Sequence, residues 1–136
     1  MSAYLLDANV VLRFLRKDNL PMWRGAHALF EKAKKGEATL ELDTAIVAEV
    51  IFTLLGFYRQ SRTDVADAML TLVTSSGVEV EKPDVVVDAL RRFKTSAMDF
   101  PDTLIAALAA HKKVPVASFD RDLDRFKDIT RFEPKG

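Results

Sequence analysis

The chain has 136 residues and 15.2 kDa, with 49% hydrophobic and 29% charged residues. That is the size and balance of one compact soluble domain and is far from disordered or collagen-like sequence. Twenty basic residues balance twenty acidic ones, so no global field announces a polyanion partner, and zero cysteines exclude disulfides, thiolate nucleophiles and cysteine-zinc sites.

In chain order, Tyr4-Leu5-Leu6 reads as a buried first strand, followed by a short helix through Val10-Val11-Leu12 and Phe14-Leu15. Pro21 suits the first turn of a second helix, along which Met22, Ala26, Leu29 or Phe30, and Ala33 recur until Gly36 stops it. Thr39-Leu40-Glu41-Leu42 is a strand, and Thr44 is positioned to cap a helix from Ala45 to about Arg59. A further helix is expected over Asp64 to Thr74, with Gly77 releasing the chain into Val78-Glu79-Val80. Pro83 and Asp84 begin another helix. Asp99-Phe100-Pro101-Asp102 starts one that runs through Leu108, Val114 to Ser118 is a strand, and Thr130-Arg131-Phe132 is a short last one.

Strands alternating with helices predict one α/β domain over residues 1–136, with a parallel sheet covered by helices. Ligands of such sheets bind outside the carboxyl ends of the strands. No apolar run reaches the roughly 20 residues of a membrane span, and the longest carries Glu49 in its middle. The first residues lack a signal-peptide pattern, and a cytoplasmic location is expected.

Four acids stand where apolar runs end or break: Asp7, Glu49, Asp102 and Asp120. Carboxylates about 4 Å apart repel by about 4 kcal/mol at an effective dielectric near 20, so a pocket of them calls for a cation. Oxygen donors without histidine or cysteine favour Mg²⁺ or Mn²⁺. Such an ion suits phosphodiester hydrolysis with a water nucleophile, through one metal or two. His27 and His111, in helical stretches, read as ordinary surface or core residues. Each acid also has a plain structural reading: Asp7 as a strand stop, Asp102 as a helix-dipole partner, Asp120 as one of several surface charges in Asp120-Arg121-Asp122-Leu123-Asp124. Glu49, among Ile46, Val47, Val50, Ile51 and Phe52, is expected to be buried and in need of a partner. The basic groups Arg13, Arg16 and Lys17, Lys32, Lys34 and Lys35, and Arg91, Arg92 and Lys94 read first as solvated helix faces. Met22, Trp23, Phe52, Phe57 and Tyr58 exceed what a small core needs and hint at partner binding.

Four motifs, Leu6-Asp7-Ala8-Asn9-Val10-Val11-Leu12, Ala48-Glu49-Val50, Asp99-Phe100-Pro101-Asp102-Thr103-Leu104-Ile105-Ala106 and Ser118-Phe119-Asp120-Arg121-Asp122, occur in this order nearly end to end. In them the sequence resembles PIN domains, and among those the VapC-type toxins of toxin-antitoxin pairs. The resemblance implies a three-layer α/β/α fold with a central parallel sheet of about five strands. It also implies Mg²⁺- or Mn²⁺-dependent endoribonuclease activity, a homodimer, and a cognate VapB-like antitoxin covering the acidic pocket. By the same resemblance Asp7, Glu49, Asp102 and Asp120 are the catalytic and metal-binding acids, with Asn9 and Ser118 as polar neighbours orienting ligands or waters. Asp99 falls at a position often acidic in the family, yet it also suits a helix cap, so its contact with metal stays open. Pro101 replaces a commonly small residue and fits a helix first turn. A catalytically silent partner-binding module is the second reading. An aspartate-based phosphatase or phospho-acceptor is the third; Asn9 is the wrong residue for an Asp-x-Asp phosphatase.

Overall fold

A computed structural model describes residues 2–136. The elements follow one another as β1 (Ser2–Leu5), α1 (Ala8–Leu15), α2 (Leu20–Lys34), β2 (Ala38–Glu41), α3 (Thr44–Gly56), α4 (Arg62–Val73), β3 (Val78–Glu79), α5 (Pro83–Thr95), α6 (Phe100–Lys112), β4 (Val116–Ala117), a 3₁₀ helix (Arg121–Arg125) and β5 (Arg131–Phe132). The chain divides into two compact units, Met1–Pro83 and Asp84–Gly136.

In the first unit, β2 lies between β1 and β3, parallel to both: Ser2 pairs with Ala38, Leu5 with Glu41 and Leu40 with Val78. Helical crossovers connect these strands, as parallel pairing demands. The core is built from Val11, Phe30, Leu40, Leu42, Val47, Val50, Leu54, Val65 and Met69. The starts of α2, α3 and α4 have a local cause. Asn19 accepts from the Met22 N–H at 3.0 Å, Asp43 from the Ala45 N–H at 2.8 Å and Ser61 from the Asp64 N–H at 3.1 Å, which satisfies donors that helix geometry leaves open. Asp43, not Thr44, is therefore the cap of α3. Gly36 and Gly77 turn the chain with φ of +76° and +85°, conformations open to glycine at little cost.

In the second unit β4 and β5 form a separate parallel pair, Val116 with Arg131 and Ala117 with Phe132. Its core joins Met98, Ala106, Ala109, Val116 and Leu123, with Phe126 and Ile129 packed against them. Arg92 on α5 ties this unit together. Its guanidinium reaches Asp88 (Nε to Oδ1, 3.0 Å) and Asp128 (Nη1 to Oδ1, 2.9 Å) and lies over the Phe126 ring, while Nε2 of His111 stands 3.2 Å from Asp88 Oδ2. A nearly buried cation between two carboxylates leaves both uncompensated when removed. Arg92→Met is expected to lower unfolding stability by about 2 kcal/mol, the order for lost charged hydrogen bonds, as a shifted urea midpoint at unchanged slope.

The α/β class with parallel strands is as expected, but two expectations need correction. The five strands form ladders of three and two rather than one five-stranded sheet. The expected first strand, Tyr4-Leu5-Leu6, begins two residues earlier and ends one earlier as β1, and it is exposed along its whole length, Leu5 at 81%; Leu6, beyond its end, is buried. Among the described residues β1 is hydrogen-bonded on one edge, to β2, and apolar composition does not by itself distinguish a flanked strand from an unflanked one.

Candidate active site

Asp102 lies in the first turn of α6, half-buried, on a helix whose Phe100, Thr103, Ala106 and Ala107 are buried. Burial, and then the negative charges of Asp120, Asp99 and Asp122, hold its carboxyl above the ordinary carboxylate range. These four acids come from three segments: the position before α6, its first turn, and the 3₁₀ helix after β4. The second unit thus gathers two of the sequence-predicted acids, Asp102 and Asp120, with Asp99 and Asp122.

Asp120 is held rather than loose. Its N–H donates to Ser118 Oγ at 3.0 Å, and its own Oδ1 accepts from the Asp122 N–H at 2.9 Å, capping the 3₁₀ helix. The Ser118 carbonyl in turn accepts from Arg131 Nη1 at 3.1 Å, and its N–H donates to the Phe132 carbonyl, so β5 fixes the turn that carries Asp120. Asp124, one residue pair further on, is spent differently: Arg131 Nε lies 3.0 Å from its Oδ1 and draws its carboxyl below the usual range. That contrast separates Asp122, which raises Asp102, from Asp124, which neutralises an arginine. Sequence reading preferred Asp120 over both for its place at a strand end and left metal contact by Asp122 open.

Two acids occupy helix-cap positions without capping. Asp7 precedes α1 and Asp99 precedes α6, yet neither side chain accepts a cap hydrogen bond, whereas Asn19, Asp43 and Ser61 at equivalent places do. The cap alternative for Asp99 is therefore not the one realised, and the Asp7 side chain makes no cap hydrogen bond either. Asn9 Oδ1 accepts from Arg13 Nε at 3.2 Å, and Arg13 Nη1 reaches Asp18 at 3.2 Å.

Glu49 departs from expectation. It is exposed, so the argument from a costly buried carboxylate does not hold. The physical reason is the stripe on α3: Val47, Val50, Ile51 and Leu54 are buried, while Glu49 shares the exposed side with Ala45, Phe52 and Gly56 at helical spacing. Asp7 and Glu49 both belong to the first unit, where α1 packs against α3.

The first unit also has an acidic cleft that sequence reading missed. At the carboxyl ends of β1, β2 and β3, a cavity of about 220 Å³ is lined by Leu5, Glu41, Leu42, Asp43, Glu79, Val80 and Glu81. Its acids are adjacent because parallel pairing places Glu41 beside Glu79. The alternation of single acids along separate strands could have signalled it.

Among the described residues, no three histidine, cysteine, aspartate or glutamate side chains stand close enough to form a ready metal cage. The donor chemistry of the Asp102 cluster nonetheless fits a hard dication: the donors are carboxylate oxygens, and their mutual repulsion is what a cation relieves. Among the described residues no helix is long and apolar enough to cross a membrane.

No curated protein is significantly similar to the chain. The PIN domain model, in contrast, matches residues 4–129 and runs through both compact units. PIN domains are of nuclease type and typically bind divalent metals. With the match covering nearly the whole length, the α/β fold has its explanation: the chain belongs to the PIN domain family.

Proposed function

We propose that the protein is a Mg²⁺- or Mn²⁺-dependent endoribonuclease, the toxin of a toxin-antitoxin module. The observation that carries this reading is the Asp102 carboxyl, raised by burial and by the charges of Asp120, Asp99 and Asp122. A carboxyl perturbed by burial together with specific charged neighbours marks a candidate functional site. Asp102 and Asp120 would hold the ion, with Asp99 and Asp122 adding negative charge around it, and Asp7 and Glu49 would be the further acids of the family pattern. A dication so held supplies charge to offset the phosphate oxygens in the transition state and a lowered pKa for attacking water. The chain's own part is orientation: Ser118 fixes the Asp120 backbone, and Asn9, braced by Arg13, supplies an amide for ligand or water.

A cytoplasmic location, a homodimer and an antitoxin partner belong to the same reading. Phe52 and Phe57, 78% and 77% exposed in and just beyond α3, support a protein partner, since large apolar groups are over-represented at interfaces.

Purified protein incubated with RNA and Mn²⁺ is expected to give discrete internal cleavage products, to lose all activity in EDTA and to regain it with added Mn²⁺. Calorimetry showing no Mn²⁺ binding to a folded, inactive protein would favour the silent partner-binding module instead.

A further inference from the structure

Segment 13–24, from the end of α1 into α2, carries Arg13, Arg16, Lys17 and Arg24 against one acid, Asp18, in a chain of zero net charge. Asp18 is already committed. Arg13 Nη1 lies 3.2 Å from one of its oxygens and the Tyr58 O–H donates to the other at 2.9 Å, which together draw its carboxyl below the usual range. Arg16 and Lys17 lie on aromatic rings instead of carboxylates: the Arg16 guanidinium is 5.0 Å from the Tyr58 ring centre, and the Lys17 ammonium is 4.2 Å from that of Trp23.

Trp23 is braced from beneath. It stacks on His27 with centroids 4.7 Å apart, His27 faces Phe14 at 6.4 Å, and Phe14 lies on the buried Phe30 at 4.0 Å. The row of rings leads from the core to a half-buried indole at the surface, a rigid flat support with cations beside it. Cations pooled near fixed aromatic faces are the means by which single strands are held without base readout: the rings stack bases and the cations follow phosphates. An exposed ammonium on a ring is weakly held and is free to move to a phosphate when a base takes its place.

We propose that this corner binds single-stranded RNA, one base stacking on Trp23 while Lys17 and Arg16 contact the adjoining phosphates. Tyr58, with Arg16 above it, is the second stacking surface. RNA as the ligand rests on the nuclease reading, but the binding is measured without cleavage, so the two ideas fail separately.

Trp23 is the only tryptophan, so its emission reports this corner alone. Titration of the full chain in EDTA with a short oligouridylate is expected to quench that emission to saturation. Followed by anisotropy of labelled oligouridylate, Trp23→Ala is expected to weaken binding about tenfold through loss of one stacking partner. Lys17→Gln, at an exposed position that leaves the fold alone, should reduce the slope of log affinity against log salt by about 0.7. Oligouridylate bound with unchanged emission, no binding at all, or Lys17→Gln with the native salt slope would each overturn the proposal, as would equal quenching by polyglutamate, which would mark the corner as a dock for acidic protein. Mn²⁺-dependent cleavage with unchanged emission would sink this proposal and leave the nuclease standing; quenching without cleavage would do the reverse.

Discussion

Asp102→Asn is expected to abolish Mn²⁺-dependent RNA cleavage while making the folded protein harder to unfold. The loss should exceed about 100-fold, because removing even an outer-shell partner of a metal costs 10–100-fold and Asp102 is assigned to the ion itself. The gain in stability has the opposite origin. Burial and three neighbouring carboxylates raise the folded-state pKa of Asp102, so the folded protein binds its proton more tightly than the unfolded chain does. Stability is therefore lost as pH rises from the ordinary aspartate value through the raised one, and the penalty persists at neutral pH. Asparagine removes it. A gain of about 0.5–1 kcal/mol is expected at neutral pH in EDTA, at the lower end of stabilising substitutions, and it should vanish at acid pH, where both side chains are neutral in both states. Thermal unfolding of native and Asp102→Asn protein at two pH values, beside cleavage assays, reads both effects. An active variant, or one less stable in EDTA, would count against a charged functional site and for a merely structural role.

Gly77→Ala should give the largest loss of stability of the glycine-to-alanine replacements in this chain. Gly77 adopts φ of +85°, and a Cβ there would meet the Ala33 carbonyl oxygen at 2.5 Å and its Cβ at 2.6 Å. Those atoms belong to α2 at a position only 1% exposed, so relief requires backbone movement rather than a rotamer change. Overpacking costs about 1–3 kcal/mol, and the left-handed conformation adds roughly 1 kcal/mol for a side-chain-bearing residue, giving about 3 kcal/mol in all. The Gly77 carbonyl also accepts from the Leu40 N–H at 2.7 Å, so displacement strains the β2–β3 ladder. Urea titration is the direct measurement. Gly36→Ala is the control: its φ is +76° but its Cβ would meet nothing within 4 Å, so only the conformational share should appear.

The two positions show what could and could not be read from sequence. Gly36 and Gly77 were both legible as chain reversals, because glycine near a helix end is a local signal. The approach of Gly77 to Ala33 was not, since it depends on how α2 meets a turn more than forty residues later. The same division runs through the acids. Asp102 and Asp120 were found from their places at element ends. Asp122 was left open because it differs from Asp124 only in its spatial neighbours: the charge of one bears on Asp102, while the other pairs with Arg131. Glu49 was misjudged as buried because its sequence neighbours are apolar, although the buried stripe of α3 passes through Val47, Val50 and Leu54 and leaves Glu49 outside. Strand pairing was the least legible level: periodicity locates a strand but gives no partner for its edge, hence one expected sheet and two observed ladders.

The central place of β2 imposes an order on biosynthesis. Residues 2–5, which become β1, leave the ribosome before their partner strand and wait for it until residues 38–41 have emerged. β2 in turn keeps its other edge unsatisfied until residues 78–79 follow. A nascent chain halted before that point exposes backbone donors and acceptors that the folded protein conceals, which places a window of aggregation hazard between the emergence of β1 and that of β3.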